Sequence, residues 1–173
     1  MRRSAAAAGS AAFFAIAPGV VAGVVPWLLT DWKPGTPSPY WAVARVAGAV
    51  LVTGGAVVLV QAFVRFVREG AGTPAPVAPT ERLVVGGLYR YLRNPMYVAV
   101  IATIVGQALL LGRLGVLVYA LVAAAAMMAF VKGYEEPRLA ARYDAEYAEY
   151  RANVPGWWPR RTAWRQSAAD TPL

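Results

Sequence analysis

The chain contains no cysteine and no histidine. Disulfides, a thiolate nucleophile, a histidine-bound metal and imidazole acid–base catalysis are therefore excluded. Any chemistry must come from carboxylates, tyrosines, arginines, backbone groups or a bound cofactor, and no metal site is expected. Acid is scarce as well: nine Asp and Glu stand against 17 Lys and Arg, for a formal charge of +8. What is abundant is apolar. Of the 173 residues, 58% are hydrophobic and mean hydropathy is +0.45, whereas a soluble domain is nearer about 45–50% apolar. This is the composition of a membrane protein.

Met1-Arg2-Arg3 precedes an apolar run, Ala5–Leu29, that contains Ser10, Pro18 and Pro26. A secretory signal peptide shares the basic start and the small residues. The run exceeds the usual signal core of about 7–15 residues, however, and it continues to an interfacial Trp27, so a retained first span over 10–30 is expected. Gly19 and Gly23, four apart, would permit close helix packing. Pro34, Pro37 and Pro39 make residues 30–40 a loop. A second span follows over 41–64, with Arg45 able to snorkel near one end and with Arg65, Arg68 and Glu69 closing the other. Residues 70–80 are irregular or polyproline-like. The third and fourth spans, 95–111 and 114–131, are separated only by Gly112 and Arg113 and must form a tight antiparallel hairpin. The expected fold is therefore a single all-α membrane domain over 1–173, with about four transmembrane helices and a C-terminal amphipathic helix.

Orientation follows from the basic residues. With the N-terminus, the 65–95 segment and everything after 131 on one side, 14 of the 17 Lys and Arg are collected there, leaving Lys33, Arg45 and Arg113. The positive-inside rule assigns that side, and both termini, to the cytoplasm. The +8 charge follows from this asymmetry and from attraction to anionic lipid, and is no argument for nucleic acid.

Two polar stretches interrupt the apolar plan. Gly86–Tyr97 crowds two arginines, three tyrosines and a proline at the mouth of the third span. Arg90 and Arg93 cannot enter lipid cheaply, Pro95 suits the first turn of the following helix, and Tyr89, Tyr91 and Tyr97 suit headgroup depth. The second stretch begins with Glu135 and Glu136, just past the fourth span. Carboxylates at a helix C-terminus oppose the macrodipole by about 0.3–1 kcal/mol each, which pairing with Arg90, Arg93 or Lys132 would offset. Pro137 is expected to start a new helix running to about Arg151. In it Leu139, Tyr143, Tyr147 and Tyr150 share one face, while Arg138, Arg142, Asp144, Glu146 and Glu149 mostly occupy the others. Val154–Pro159, with Trp157 and Trp158, ends it, and 166–173 reads as a frayed tail. Span topology brings both stretches to the same membrane face, either as a well-anchored salt-bridge network or as a shared polar pocket.

The succession G-L-Y-R-Y-L-R-N-P-M-Y, an apolar hairpin, E-E-P-R-L and Y-D-A-E-Y-A-E-Y-R-A-N-V-P, over about residues 80–160, closely resembles the isoprenylcysteine carboxyl methyltransferase and phospholipid methyltransferase superfamily. The resemblance implies an integral-membrane enzyme that uses S-adenosylmethionine, held at the cytoplasmic end of its helices, to methylate a carboxylate or amine of a lipid-like or hydrophobic acceptor. The family's R-H-P-x-Y motif falls on Arg93, Asn94, Pro95, Met96 and Tyr97, and its Glu-Glu pair on Glu135 and Glu136. Asn94 stands where eukaryotic members usually carry histidine; it keeps a donor and an acceptor but cannot titrate near neutrality. The N-terminal half carries no comparable signature. On this resemblance Tyr89, Arg93, Asn94, Pro95, Tyr97 and Glu136 are expected to bind the cofactor, and Glu135 and Arg90 to be catalytic. Their chemistry is suited to it. A guanidinium of Arg90 or Arg93 can clamp a carboxylate bidentately, Glu135 or Glu136 can accept from ribose hydroxyls or face an amine, and aromatic faces attract a sulfonium. Two other readings share the motif region: an NADPH-dependent sterol-type reductase, whose members are usually larger, and a non-catalytic membrane protein that kept the fold.

Overall fold

A computed structural model describes residues 16–35, 38, 41–70 and 83–165. The start of the expected first span, the 71–82 connection and the 166–173 tail lie outside the described residues. All regular structure within them is helical: α1 (Ile16–Thr30), α2 (Ala42–Gly70), α3 (Pro95–Leu111), α4 (Leu114–Phe130) and α5 (Glu136–Asn153). The apolar stretch Ala42–Arg65 of α2, and α4 with its continuation, are long enough to cross a membrane, whereas α1 and α3 are shorter apolar helices. Val43, Val46, Val50 and Val57 on α2, and Leu114, Val118, Leu121 and Val122 on α4, stand exposed. In water such a surface would be costly; in a bilayer it is the lipid-facing side.

α3 opens with Pro95 in its first turn and ends at Gly112, whose φ of 62° makes the left-handed stop that admits α4 two residues later. The expected hairpin is present, yet the tightest helix approach at any described glycine is between α2 and α3. A Cβ on Gly48 would lie 2.6 Å from the Gly106 carbonyl oxygen, one on Gly106 would lie 2.7 Å from that of Gly48, and one on Gly55 would lie 2.8 Å from that of Ala99. Helices in lipid gain little from hydrophobic association, so dispersion between backbones in contact is what holds this pair. The expectation for Gly19 and Gly23 is not met: a Cβ on either would meet no described atom within 4 Å.

What attaches α1 is a proline. Pro26 has no N–H to give to the turn before it, and the helix widens there into a π-turn, Val20–Val24. The carbonyls of Val21 and Ala22 in that turn take donors from other helices. The Tyr119 hydroxyl donates to the first at 2.8 Å and Gln107 Nε2 to the second at 2.6 Å. Each bond relieves a group that would be expensive to leave unpaired in an apolar layer.

The same device recurs at Pro137. A new helix is expected there, but the chain does not break: a π-turn, Val131–Glu135, absorbs the proline and joins α4 directly to α5. Phe130 and Tyr134 stack with centroids 5.0 Å apart, and the Arg138 guanidinium lies 4.2 Å over the Tyr134 ring, marking the end of the apolar layer. α5 is not one straight amphipathic helix either. Asp144 has φ 38° and ψ −114°, and Glu136 reaches Arg151 at 3.3 Å, a pair that a straight helix would hold about 22 Å apart. α5 therefore consists of two arms folded back on each other at Asp144. Tyr147 and Tyr150 are buried with Val154 and Trp164, and Leu139, Tyr143, Leu83 and Val85 pack round them. The expected aromatic face exists and is covered by protein.

The two ends of the bundle differ. At one, Gly35 N–H donates to Leu111 O at 2.7 Å, Trp41 Nε1 to Leu109 O at 2.7 Å and Arg113 Nε to Lys33 O at 3.2 Å. At the other, residues 90–94 bond to residues between Glu136 and Trp164, so both polar stretches do share one end.

The α2–α3 contact has a direct test. Gly106→Val should destabilise the detergent-solubilised protein by about 1–3 kcal/mol or more through overpacking against backbone. Gly54→Ala, where a Cβ meets open space, should leave the melting temperature unchanged or slightly higher.

Candidate functional site

The polar end is built by lacing residues 89–94 to residues 150–164. Arg93 N–H donates to Pro155 O at 2.9 Å, Arg160 N–H to Tyr91 O at 3.0 Å, and Trp164 N–H to Arg90 O at 3.0 Å. Side chains reinforce the lacing: Arg90 Nε donates to Trp164 O at 2.6 Å and the Tyr150 hydroxyl to Tyr89 O at 2.7 Å. Gly87, at φ +58°, passes under the end of α2, where a Cβ would sit 2.8 Å from Arg65 Nε. Tyr89 is buried with Ala62 and Val84, against Met96. The Arg90 side chain and the Tyr89 backbone carbonyl, from two residues expected at the site, thus hold the two stretches of chain together.

The remaining expected residues form one connected group. Arg93 Nε donates to Val154 O at 2.9 Å; its Nη1 donates to Glu136 Oε1 at 2.8 Å and to the Tyr147 hydroxyl at 3.1 Å. Both side chains of the ion pair are largely buried, 14% and 13% exposed, so this is an interior charge pair completed by further hydrogen bonds rather than a solvated one. Glu136 Oε2 takes a second guanidinium from Arg151 at 3.3 Å. Asn94 Nδ2 donates to Gly156 O at 3.1 Å, and Pro95 is buried at the head of α3.

Tyr97, one turn into α3, donates its hydroxyl to Glu135 Oε1 at 2.5 Å and tilts its ring against Trp157 with centroids 6.4 Å apart. Burial pushes the Glu135 carboxyl up, while the bond from Tyr97 works in the opposite direction. The Arg-Asn-Pro-Met-Tyr segment and the Glu pair, about 40 residues apart in the chain, therefore meet twice: Arg93 with Glu136, and Tyr97 with Glu135.

Beside this group the two arms of α5 border an open crevice of about 480 Å³, lined by Ala140, Asp144, Tyr147, Ala148, Arg151 and Ala152. Its size is that of a small-molecule site, about 300–1,000 Å³. Among the described residues no cluster of acidic side chains could hold a metal. Tyr147, Arg151, Trp157 and Gly156 were not expected at the site. Tyr147 and Arg151 lie in a stretch that carries the resemblance, but they reach Arg93 and Glu136 only through the reversal at Asp144, which has neither glycine nor proline to announce it. Trp157 and Gly156 could have been found from the Pro-Gly-Trp-Trp-Pro run, read as a turn folding back on the motif rather than as an anchor.

Two variants probe the geometry. Arg93→Ala strands Glu136 on its exposed partner Arg151 and removes the tie to Val154, so a loss of about 3 kcal/mol is expected and is readable as a lowered melting temperature. Glu135 gives a pH signature. Its folded state holds the proton more tightly than the unfolded chain does, so its contribution is intact at low pH and is lost as pH rises through and above the ordinary carboxylate range. Glu135→Gln can still accept from Tyr97 but cannot ionise. It should melt with the wild type near about pH 4 and above it at neutrality.

A family model described as phospholipid methyltransferase matches residues 43–146, well over half of the 173. It covers α2, α3, α4 and the first arm of α5, and so both halves of the motif group. No curated protein and no solved structure gives a significant match. The chain belongs to the phospholipid methyltransferase family.

Proposed function

We propose that the protein transfers a methyl group from S-adenosylmethionine to a carboxylate or amine of a lipid-like or hydrophobic acceptor. The site would be the end of the bundle where Arg93, Tyr97, Glu135 and Glu136 meet, and the basic asymmetry supports placing that end, with both termini, on the cytoplasmic face of the inner membrane. The observation that carries the reading is the pair of contacts joining the two motif segments, Arg93–Glu136 at 2.8 Å and Tyr97–Glu135 at 2.5 Å. A scaffold needs neither a buried carboxylate bonded to a tyrosine nor a small-molecule crevice beside it.

The residues suit the cofactor. Carboxylates that can take ribose hydroxyls or an amine, guanidiniums that can take a carboxylate, and tyrosine and tryptophan faces all lie at one end of the bundle, next to a crevice of adequate volume. The cofactor supplies an electrophilic methyl on a sulfonium. What the protein supplies is position, exclusion of water and control of a proton. Arg93 fixes Glu136 and the Val154–Gly156 turn; Asn94 holds the same turn through Gly156. Glu135, raised by burial, can receive a proton at its free oxygen when the acceptor is an ammonium that must first become an amine. A carboxylate acceptor is already ionised at neutral pH and needs no such base. The exposed apolar residues of α2 and α4 support a lateral route for the acceptor.

Equilibrium binding on purified protein in detergent tests this against the other readings. S-adenosylmethionine should bind and NADPH should not; binding of NADPH alone would give the reductase, and binding of neither would leave a scaffold. Membranes containing the protein should then incorporate the donor's labelled methyl group into the lipid-extractable fraction.

A further inference from the structure

The crevice at the hinge of α5 contains no residue of the Arg-Asn-Pro-Met-Tyr segment or of the Glu pair, and its walls and its charges are unlike each other. Ala140 on the first arm, and Ala148 and Ala152 on the second, keep it open; Asp144, Tyr147 and Arg151 are its polar groups. Arg151 gives one nitrogen to Glu136 and is 55% exposed, so other N–H groups of its fork remain available. Asp144 meets no cation or donor among the described residues. Its positive φ is a conformation that glycine would adopt without strain. What aspartate adds at the hinge is a carboxylate.

We infer that this crevice binds the amino-acid end of the methyl donor, with Arg151 on the α-carboxylate and Asp144 on the α-ammonium. The assignment rests on the methyl-donor reading above and names residues to which the resemblance assigned no role. One anion and one cation facing the same space complement a zwitterion. A lone phosphate would leave Asp144 repelled, and a lone quaternary amine would be repelled by Arg151. The crevice also touches the motif group at two points: Tyr147 accepts from Arg93, and Arg151 pairs with Glu136. A ligand end seated there would extend toward Glu136 and away from the apolar layer, which suits the most hydrophilic part of the donor.

The test compares S-adenosylhomocysteine, which keeps the amino-acid end, with 5′-methylthioadenosine, which lacks it, on the purified full chain in detergent. The wild type should prefer S-adenosylhomocysteine by about 10- to 100-fold, as charge-assisted bonds in a partly enclosed site would give. Asp144→Gly keeps the hinge and removes only the carboxylate. It should weaken S-adenosylhomocysteine by about tenfold and leave 5′-methylthioadenosine unchanged. Ala148→Leu, which narrows the crevice without touching a charge, should do the same. Arg151→Gln should match them, with ligand-free melting temperature recorded because its bond to Glu136 is lost as well. Equal affinity of the wild type for the two compounds, or an undiminished preference in Asp144→Gly and Ala148→Leu, would overturn the assignment while leaving the methyl-donor reading standing. A wild type that binds neither compound nor S-adenosylmethionine would remove that reading, and this one with it.

Discussion

The polar end of this protein depends on one buried guanidinium. Arg93 bonds to Val154, Glu136 and Tyr147 through its side chain and to Pro155 through its backbone, and so ties the mouth of α3, both arms of α5 and the following turn to one point. A charge this far out of water is tolerable only when its pairing and hydrogen bonding are nearly complete. That requirement fixes where the other segments must go. Glu136 has to face inward, which the π-turn at Val131–Glu135 permits, and Tyr147 has to come back beside it, which the reversal at Asp144 permits.

Within the apolar layer the governing constraint is different. Every backbone carbonyl needs a donor there, and each proline removes one. At Pro26 the shortfall is made good by Gln107 and Tyr119 from the two neighbouring helices, so the defect becomes the attachment of α1 to the hairpin. α2 and α3 have no such polar bond at their tightest point; small residues at 48, 55 and 106 let their backbones touch instead. The bundle thus uses hydrogen bonds where a helix is interrupted and close packing where it is continuous.

These features divide sharply in how visible they are in the sequence. The helical class, the Gly112 turn, the start of α3 at Pro95 and the gathering of both polar stretches at one end are legible, because long apolar runs, prolines and basic residues each impose a local cost. Gly48, Gly55 and Gly106 are not: Gly19 and Gly23 have the more familiar spacing, yet they meet open space, since which glycines are buried depends on helix rotation that no local pattern sets. The continuity through Pro137 was hidden for a related reason. A proline can end a helix or widen it, and the choice is made by what packs on either side. Arg151 and Tyr147 were hidden because α5 reads as one amphipathic helix until Asp144 reverses it.

Asn94 shows how such a group can be simplified. Its amide donates to the Gly156 carbonyl at 3.1 Å, a bond that a histidine at this position could make only with one nitrogen, in a protonation state that changes near neutrality. An amide makes the same tie at any pH, as do the guanidinium of Arg93 and the backbone bonds around it. Beside those fixed ties stands the Glu135 carboxyl, whose hold on a proton is raised by burial and lowered by the bond it accepts from Tyr97. It accepts a hydrogen bond from the hydroxyl of a tyrosine that projects from the first turn of a membrane helix. The Tyr97–Glu135 bond therefore joins the first turn of α3 to the π-turn that ends α4, and so fastens the apolar bundle to its polar end.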